Sequence, residues 1–385
     1  VTGHVLVAPD KFKGSLSAVE VASRVAAGLR AARPEVTVVS VPVADGGDGT
    51  VEAAVASGFA RVEAAATGPT GEPVTASYAF RDGVAVVELA EASGLHRLPG
   101  GRLEPLTATS HGTGDLIAAA LRHGARRVVL GIGGSACTDG GSGMMRALGV
   151  RLLDARGREL PPGGGALTEL RTLDLSGFER PAGVEFVVAG DVDNPLLGPD
   201  GAAAVYGPQK GASPADVALL EDGLARWADV AEAELGVRVR DEPGAGAAGG
   251  VGFAALAFLG ARFRPGIDLL LDLLGFSARL SGARLVITGE GSLDGQTLRG
   301  KAPMGVAAAA AEAGVPVVAV CGRRTLTAEQ LRGAGIQSAF ALTDIEQDVA
   351  RCIAQAGPLL QSLAATLAAD WLPEPSAGPL GGTRT

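Results

Sequence analysis

Cysteine, histidine, positive charge and long apolar runs are all scarce in this chain, and each shortage argues against a class of function. The 385 residues include three cysteines (Cys137, Cys321, Cys352) and four histidines (His4, His96, His111, His123). None falls at the short spacings that gather zinc ligands. The odd cysteine count fits a reducing cytoplasm better than a disulfide framework. A formal net charge of −9 supplies no field for nucleic acid or for an acidic membrane surface. The longest apolar stretches are 251–261 and 303–321. The first is too short to span a bilayer, and Glu312 interrupts the second. No succession of basic, apolar and cleavage-site residues opens the chain, so no secretory leader is expected.

Glycine and apolar residues, by contrast, are plentiful. Hydrophobic residues make up 47%, enough for sizeable cores, and the length favours two domains. The 58 glycines cluster instead of repeating, which argues against a collagen-like or low-complexity chain. Five times a β-branched run ends in glycine, aspartate or lysine: VLVAPDKFKGS (5–15), VVSVPVADGGDGT (38–50), RVVLGIGGSACTDGG (127–141), EFVVAGDVDNP (185–195) and RLVITGEGSLDGQ (284–296). Such runs read as buried strands, and in open α/β sheets ligands bind beyond the carboxyl ends of strands. Glycines there open backbone N–H groups to anions, lysines neutralise phosphate and carboxylates hold metals. Five such loops predict a site for a phosphorylated, metal-bound ligand.

The opening reads strand, helix, strand, helix. Ser17 and Glu20 form a capping box for a helix to about Ala32. Short strands follow at 61–66, 74–80 and 84–89, the last two a hairpin across Arg81-Asp82-Gly83. Ser213 caps a long helix with Pro214 at its first position. From 285 the alternation returns, ending on one helix over 344–369. The expected fold is α/β: a discontinuous parallel-sheet domain of Rossmann-like or flavodoxin-like type (1–68 with 283–372). It carries an inserted mixed α/β domain (69–282) and ends in a disordered tail (373–385).

Individual motifs admit rival readings. Gly131-x-Gly133-x-x-Ala136, with Asp154 after the next apolar run, is a literal dinucleotide fingerprint. Asp139, however, places a carboxylate where a bare pyrophosphate would sit. Gly295 to Gly300-Lys301 matches most of a Walker A loop but has Ala302 in place of the magnesium-binding Ser/Thr. Lys301, at a helix start, reads either as a phosphate contact or as a surface lysine. The acid pairs Asp45/Asp48, Asp191/Asp193 and Glu290/Asp294 read singly as turn chemistry. Together, at strand ends, they suggest magnesium and general-base work.

Assembled, these segments resemble the bacterial type-1 glycerate kinase family. The strings that carry the likeness are APDKFKGSLSA (8–18), ADGGDGT (44–50), GIGGSACTDGGSGMMRALG (131–149), AGDVDNPLLG (189–198), YGPQKGA (206–212), PGAGAAGGVGFA (243–254) and ITGEGSLDGQTLRGKAPMGVA (287–307). The resemblance implies a cytoplasmic two-domain enzyme with its active site in the interdomain cleft. It implies ATP-dependent phosphorylation of D-glycerate at the 2-hydroxyl, or at the 3-hydroxyl, with Mg2+.

Within that resemblance, Asp191 either activates the hydroxyl or binds magnesium, supported by Asp193 or Asn194. Lys13 and Lys210 steady the transferring group, and Lys11 or an arginine takes the substrate carboxylate. Asp45, Asp48, Gln209, Glu290 and Gln296 line the substrate, and Asp294 joins the metal set. Gly133, Gly134, Ser135, Asp139, Gly140, Gly141 and Lys301 meet the nucleotide. Two other readings remain open: an NAD(P)-dependent hydroxy-acid oxidoreductase and a non-enzymatic phospho-metabolite binder.

Overall fold

The computed structural model describes residues 3–372, so the tail expected at 373–385 lies outside the described residues. The chain forms two compact units. One is split in sequence, Val1–Val43 with Leu274–Thr385, and the other is the stretch between, Ala44–Leu273. The strands, in chain order, begin with β1 (His4–Pro9), β2 (Thr37–Ser40), β3 (Ala60–Thr67), β4 (Pro73–Arg81), β5 (Val84–Glu88) and β6 (Arg127–Gly131). They continue with β7 (Arg151–Leu153), β8 (Thr172–Asp174), β9 (Glu185–Ala189) and β10 (Arg262–Arg264). The last are β11 (Ala283–Leu293), β12 (Val317–Arg324) and β13 (Ser338–Ala341).

The split unit holds a five-stranded sheet, β13-β12-β11-β1-β2, with every pair parallel. Its β1 is a continuous apolar run with Val5 to Ala8 fully buried, as a strand covered on both faces requires. The helix Ala18–Ala32 starts on the expected capping box, in which Ser17 Oγ accepts from Glu20 N and Glu20 accepts from Ser17 N. Val21, Val25 and Leu29 share a core with Leu360, Leu363 and Leu367 of the final helix. Gly28 lets these helices approach closely, since a Cβ there would lie 2.2 Å from Gln361 O.

The C-terminal helix expected over 344–369 is broken into Val349–Ala354 and Ala356–Trp371. Asp348 caps the first piece by accepting from Ala350 N and Arg351 N. Pro358, which has no N–H to continue a ladder, sits in the first turn of the second.

The inserted unit holds a six-stranded mixed sheet, β10-β9-β6-β5-β4-β3. Four neighbours, β10, β9, β6 and β5, run parallel, and β4 and β3 are antiparallel additions. The β4–β5 hairpin turns on Asp82 and Gly83, both left-handed (φ 53° and 81°), the two-residue turn that matches strand twist. The unit begins at Ala44, well before the boundary expected at 68. Two contacts draw 44–68 into the inserted unit: β3 forms a hairpin with β4 along its whole length, and Gly46 and Gly47 lie against Gly131 and Gly133 after β6. The second boundary lies between Leu273 and Leu274, ahead of the one expected at 282. In this core Trp227 is fully buried, stacked 5.4 Å from Phe258 and edge-on to Phe253.

Candidate active site

In the inserted unit the parallel strands β5, β6 and β9 deliver three loops to one end of the sheet. The loop after β6 also meets the Asp45–Gly49 loop, which follows β2 in the chain, through backbone. A Cβ on Gly133 would lie 2.6 Å from Gly47 Cα, and one on Gly131 would lie 2.7 Å from Gly46 O. Glycine is therefore required here so that strand-end loops can meet, before any ligand is considered. Gly133 and Gly134 remain at the surface of that junction.

Asp191 follows β9 directly. The residue as a whole is exposed, but its carboxylate end is partly enclosed, with Oδ1 accepting from Gly266 N at 2.9 Å. The charged groups acting on it are Asp45 and Asp268, both acids. Partial burial, the larger cause, and this like charge push its carboxyl up to about 6 despite the bond from Gly266. Asp45 is half-buried and accepts from Gly47 N at 3.3 Å, and Asp48 is exposed. Asp193 is exposed. Asn194 is held in place, donating Nδ2 to Asp200 O (2.8 Å) and accepting from the Tyr206 hydroxyl (2.6 Å). Gln209 is exposed. The sequence reading had set Asp45 in the split domain. It belongs instead to the same unit as Asp191, where its charge is felt.

Several residues assigned to ligand contacts turn out to be internal. Asp139 is fully buried, and its carboxylate accepts from the N–H groups of Ser110, Gly141 and Gly143 and from Ser110 Oγ. It holds its own loop and is not presented to a nucleotide. Gly140 and Gly141 are buried as well: a Cβ on either would lie 2.5 Å from Trp227 or Ala254. Lys210 is 2% exposed and donates to Ser135 Oγ (2.8 Å) and to Cys137 O. Burial lowers its pKa, with Cys137 and Asp139 opposing that shift. A lysine so enclosed braces the glycine loop and does not reach a transferring group, and Ser135 (6% exposed) is its partner in that brace.

The split unit has its own set. Lys13 is exposed on the tight turn between Phe12 and Leu16, and Lys11 N donates to Asp10 Oδ1 at 2.7 Å. β11 continues to Leu293, with Leu293 opposite Arg324 of β12. Glu290 therefore lies within a strand, although the Gly-Glu-Gly-Ser run had read as a loop. Its carboxylate accepts from Thr297 Oγ1 (2.5 Å) and pairs with Lys301 Nζ (3.4 Å). Burial raises its pKa, while Thr297 and Lys301 restrain the rise. Asp294 accepts from Gln296 N (2.8 Å) in a turn, and Gln296 is exposed.

The rival motif readings lose their context. The loop after β6 runs to a helix that starts only at Ser142. β7, which would present Asp154 to a ribose, pairs antiparallel with β8 outside the main sheet. Asp154 is itself engaged by Arg156 N, Arg158 N and the Arg158 guanidinium. A dinucleotide fold needs that acid at the end of a parallel neighbour. The Walker-like lysine, Lys301, is turned to Glu290.

Sequence reasoning passed over Glu88, the last residue of β5. It is 2% exposed and accepts from Gly49 N and Val51 N (3.1 Å each). The available signal was an acid closing the apolar run Val84–Val87, but without an adjacent glycine it read as ordinary strand polarity.

Among the described residues no group of three or more His, Cys, Asp or Glu side chains forms a metal cage, and no helix is long and apolar enough to cross a membrane. The profile of the Glycerate kinase family matches residues 5–372. A glycerate kinase of Bacillus subtilis strain 168 is 47% identical over 342 residues, 88% of this chain and 90% of that protein. A glycerate 2-kinase of Escherichia coli K12 is 46% identical with the same coverage. The crystal structure of a glycerate kinase 2 from Salmonella typhimurium LT2 superposes with a TM-score of 0.83 at 41% identity, covering 96% of this chain and 98% of that one.

Proposed function

The chain belongs to the glycerate kinase family, and from that premise we propose that it phosphorylates D-glycerate with ATP, giving 2-phosphoglycerate and ADP. The observation that carries this reading is the agreement of relatives named for glycerate phosphorylation across about nine-tenths of both chains. The choice of the 2-hydroxyl draws support from the relative named a glycerate 2-kinase.

Phosphoryl transfer asks a protein for positioning and charge neutralisation more than for covalent chemistry. Asp191 suits the general base. A carboxyl near 6 is ionised at neutral pH, yet basic enough to take the proton of a substrate hydroxyl. Gly266 N fixes its second role-bearing feature, the direction of the carboxylate. Asp45 and Asp48, on the adjoining loop, would accept from glycerate hydroxyls, with Asn194 and Gln209 as further substrate contacts. Gly133 and Gly134 offer surface backbone to phosphates. Lys13 is the exposed lysine left to neutralise the transferring group, and Lys11 is assigned to the substrate carboxylate.

Magnesium fits the donor set as an ion brought by the nucleotide. Kinase magnesium is held by one or two carboxylates together with substrate phosphates and water, so a protein cage of three is not required. The crowding of Asp191 by Asp45 and Asp268 is the charge a cation relieves. With Asp191 serving as the base, Asp193 would hold it, and it would neutralise phosphate oxygens. Asp294, committed to its own turn, is the weaker candidate. The enzyme is assigned to the cytoplasm on the grounds of its substrates.

The test is phosphorus NMR of the product made from ATP, magnesium and D-glycerate. The 2-phosphate couples to a single carbon-bound hydrogen and gives a doublet, whereas the 3-phosphate couples to a CH2 and gives a triplet. A triplet overturns the regiochemistry, and absence of both overturns the activity.

A further inference from the structure

Glu88 stands at the root of two site loops at once. Strand pairing sets it opposite Gly131, and Leu89 N donates to Gly131 O at 2.8 Å, so it begins where the glycine loop begins. Its carboxylate reaches across to the Asp45–Gly49 loop, where both oxygens accept from Gly49 N (3.1 and 3.2 Å) and Oε2 accepts from Val51 N (3.1 Å). The short helix Thr50–Ala56 has no side-chain cap of its own and enters through a left-handed Gly49 (φ 98°). Its first free N–H groups would be orphans, and a side chain from another strand satisfies them.

The charged groups that act on Glu88 are Asp48 from that loop and Glu91 from the turn after β5, both acids. Burial, the largest cause, and this like charge outweigh the two backbone bonds and push its carboxyl up to about 7. Since the folded value lies above the unfolded one, ionising Glu88 weakens the fold as pH rises through this range. Stability alone would favour a neutral acceptor at this point. The charged residue is therefore explained by what it holds: the loop bearing Asp45, whose charge reaches Asp191.

We propose that Glu88 is a positioning residue for phosphoryl transfer, its carboxylate fixing the Asp45–Gly49 loop against the glycine loop so that Asp45 keeps its place beside Asp191. The inference rests on the kinase reading of this site.

The test compares the full-length wild type with Glu88→Gln and Glu88→Ala, recording kcat, KM for glycerate and melting temperature across acid and neutral pH. Glu88→Ala is expected to lose ~10- to 100-fold in kcat/KM, the scale of a reacting group misplaced by about an ångström. Glu88→Gln, which keeps one acceptor oxygen, is expected to recover part of that loss. Wild-type turnover declines in steps as pH falls, the upper one near 7, and Glu88→Gln lacks that upper step. Above pH 7 the glutamine variant melts no lower than wild type while turning over more slowly.

Wild-type kinetics and an unchanged pH profile in Glu88→Gln overturn the proposal. So does a loss of activity that merely tracks a lower melting temperature, or failure of that variant to fold. If Glu88→Ala does not fold, the glutamine variant alone decides. A wild type that releases no ADP with glycerate fails the kinase reading itself, and this inference falls with it. Silent variants in an active wild type overturn Glu88 alone.

Discussion

In the split unit the buried acid Glu290 has a lysine close by, whereas at the strand ends of the inserted unit Asp191 and Glu88 have other acids as their charged neighbours. Glu290 sits within a strand, capped by the Thr297 hydroxyl and paired with Lys301. Asp191 and Glu88 sit at strand ends, held by backbone N–H groups, with other acids as the charges acting on them. Both units raise carboxyl pKa values by burial, but only Glu290 has a lysine that draws its value back. Charge crowding without an internal cation marks the place where a ligand has to supply one, and that place is the end of β5, β6 and β9.

Asp191→Asn breaks this comparison most forcefully. The asparagine can still accept from Gly266 N, so the fold is expected to survive by circular dichroism. Turnover is expected to drop ~10²-fold or more, the scale of general-base loss. Near-normal kcat would return Asp191 to turn chemistry and leave the inserted unit no more reactive than the split one.

Lys210→Met sharpens the distinction between bracing and contact. It removes the donor to Ser135 Oγ and Cys137 O inside the core, at an expected cost of about 1–3 kcal/mol for buried groups left unpaired. Denaturant melts are expected to show that loss. A variant of native stability with lost turnover would instead put Lys210 back among the catalytic residues.

Lys13→Ala is the converse case, an exposed lysine with no bracing role. A loss of about tenfold in kcat/KM, near 1.4 kcal/mol, with an unchanged melting temperature is the expected result. Equal loss of stability and activity would refute the separation between the two lysines.

These lysines also show how far the sequence could be read. The strand ends, the Ser17 and Ser213 caps and the Asp82-Gly83 hairpin were legible because each depends on neighbours a few residues away. Lys210 was misread because its burial depends on residues some seventy positions earlier in the chain. Asp45 was assigned to the other unit because its loop lies against Gly131 and Gly133, far along the chain, a contact that no local pattern announces. The strand β11 runs on through Gly-Glu-Gly-Ser, which read as a strand-end loop because of its composition, and only the edge of β12 keeps it extended. Glu88 was missed for the same reason, its function lying across the sheet in the N–H groups of Gly49 and Val51.

The smallest effect is expected at Lys301. Lys301→Ala removes a partly exposed ion pair and is expected to cost no more than ~1 kcal/mol, with Glu290 still accepting from Thr297. A large loss of turnover at native stability would show that the split unit's acid is also reactive, and the contrast between the units would have to be withdrawn.

The most direct test is to titrate the Asp191 carboxyl carbon by NMR and to set its midpoint beside the lower acid limb of phosphoryl transfer, measured on the same protein. Both are predicted near 6, with the fast reaction on the ionised side and the limb lost as pH falls through that value. Asp191→Asn is predicted to abolish that limb. A midpoint near the ordinary aspartate value of about 4, or a limb that persists in the asparagine variant, would contradict the assignment of Asp191 as the base.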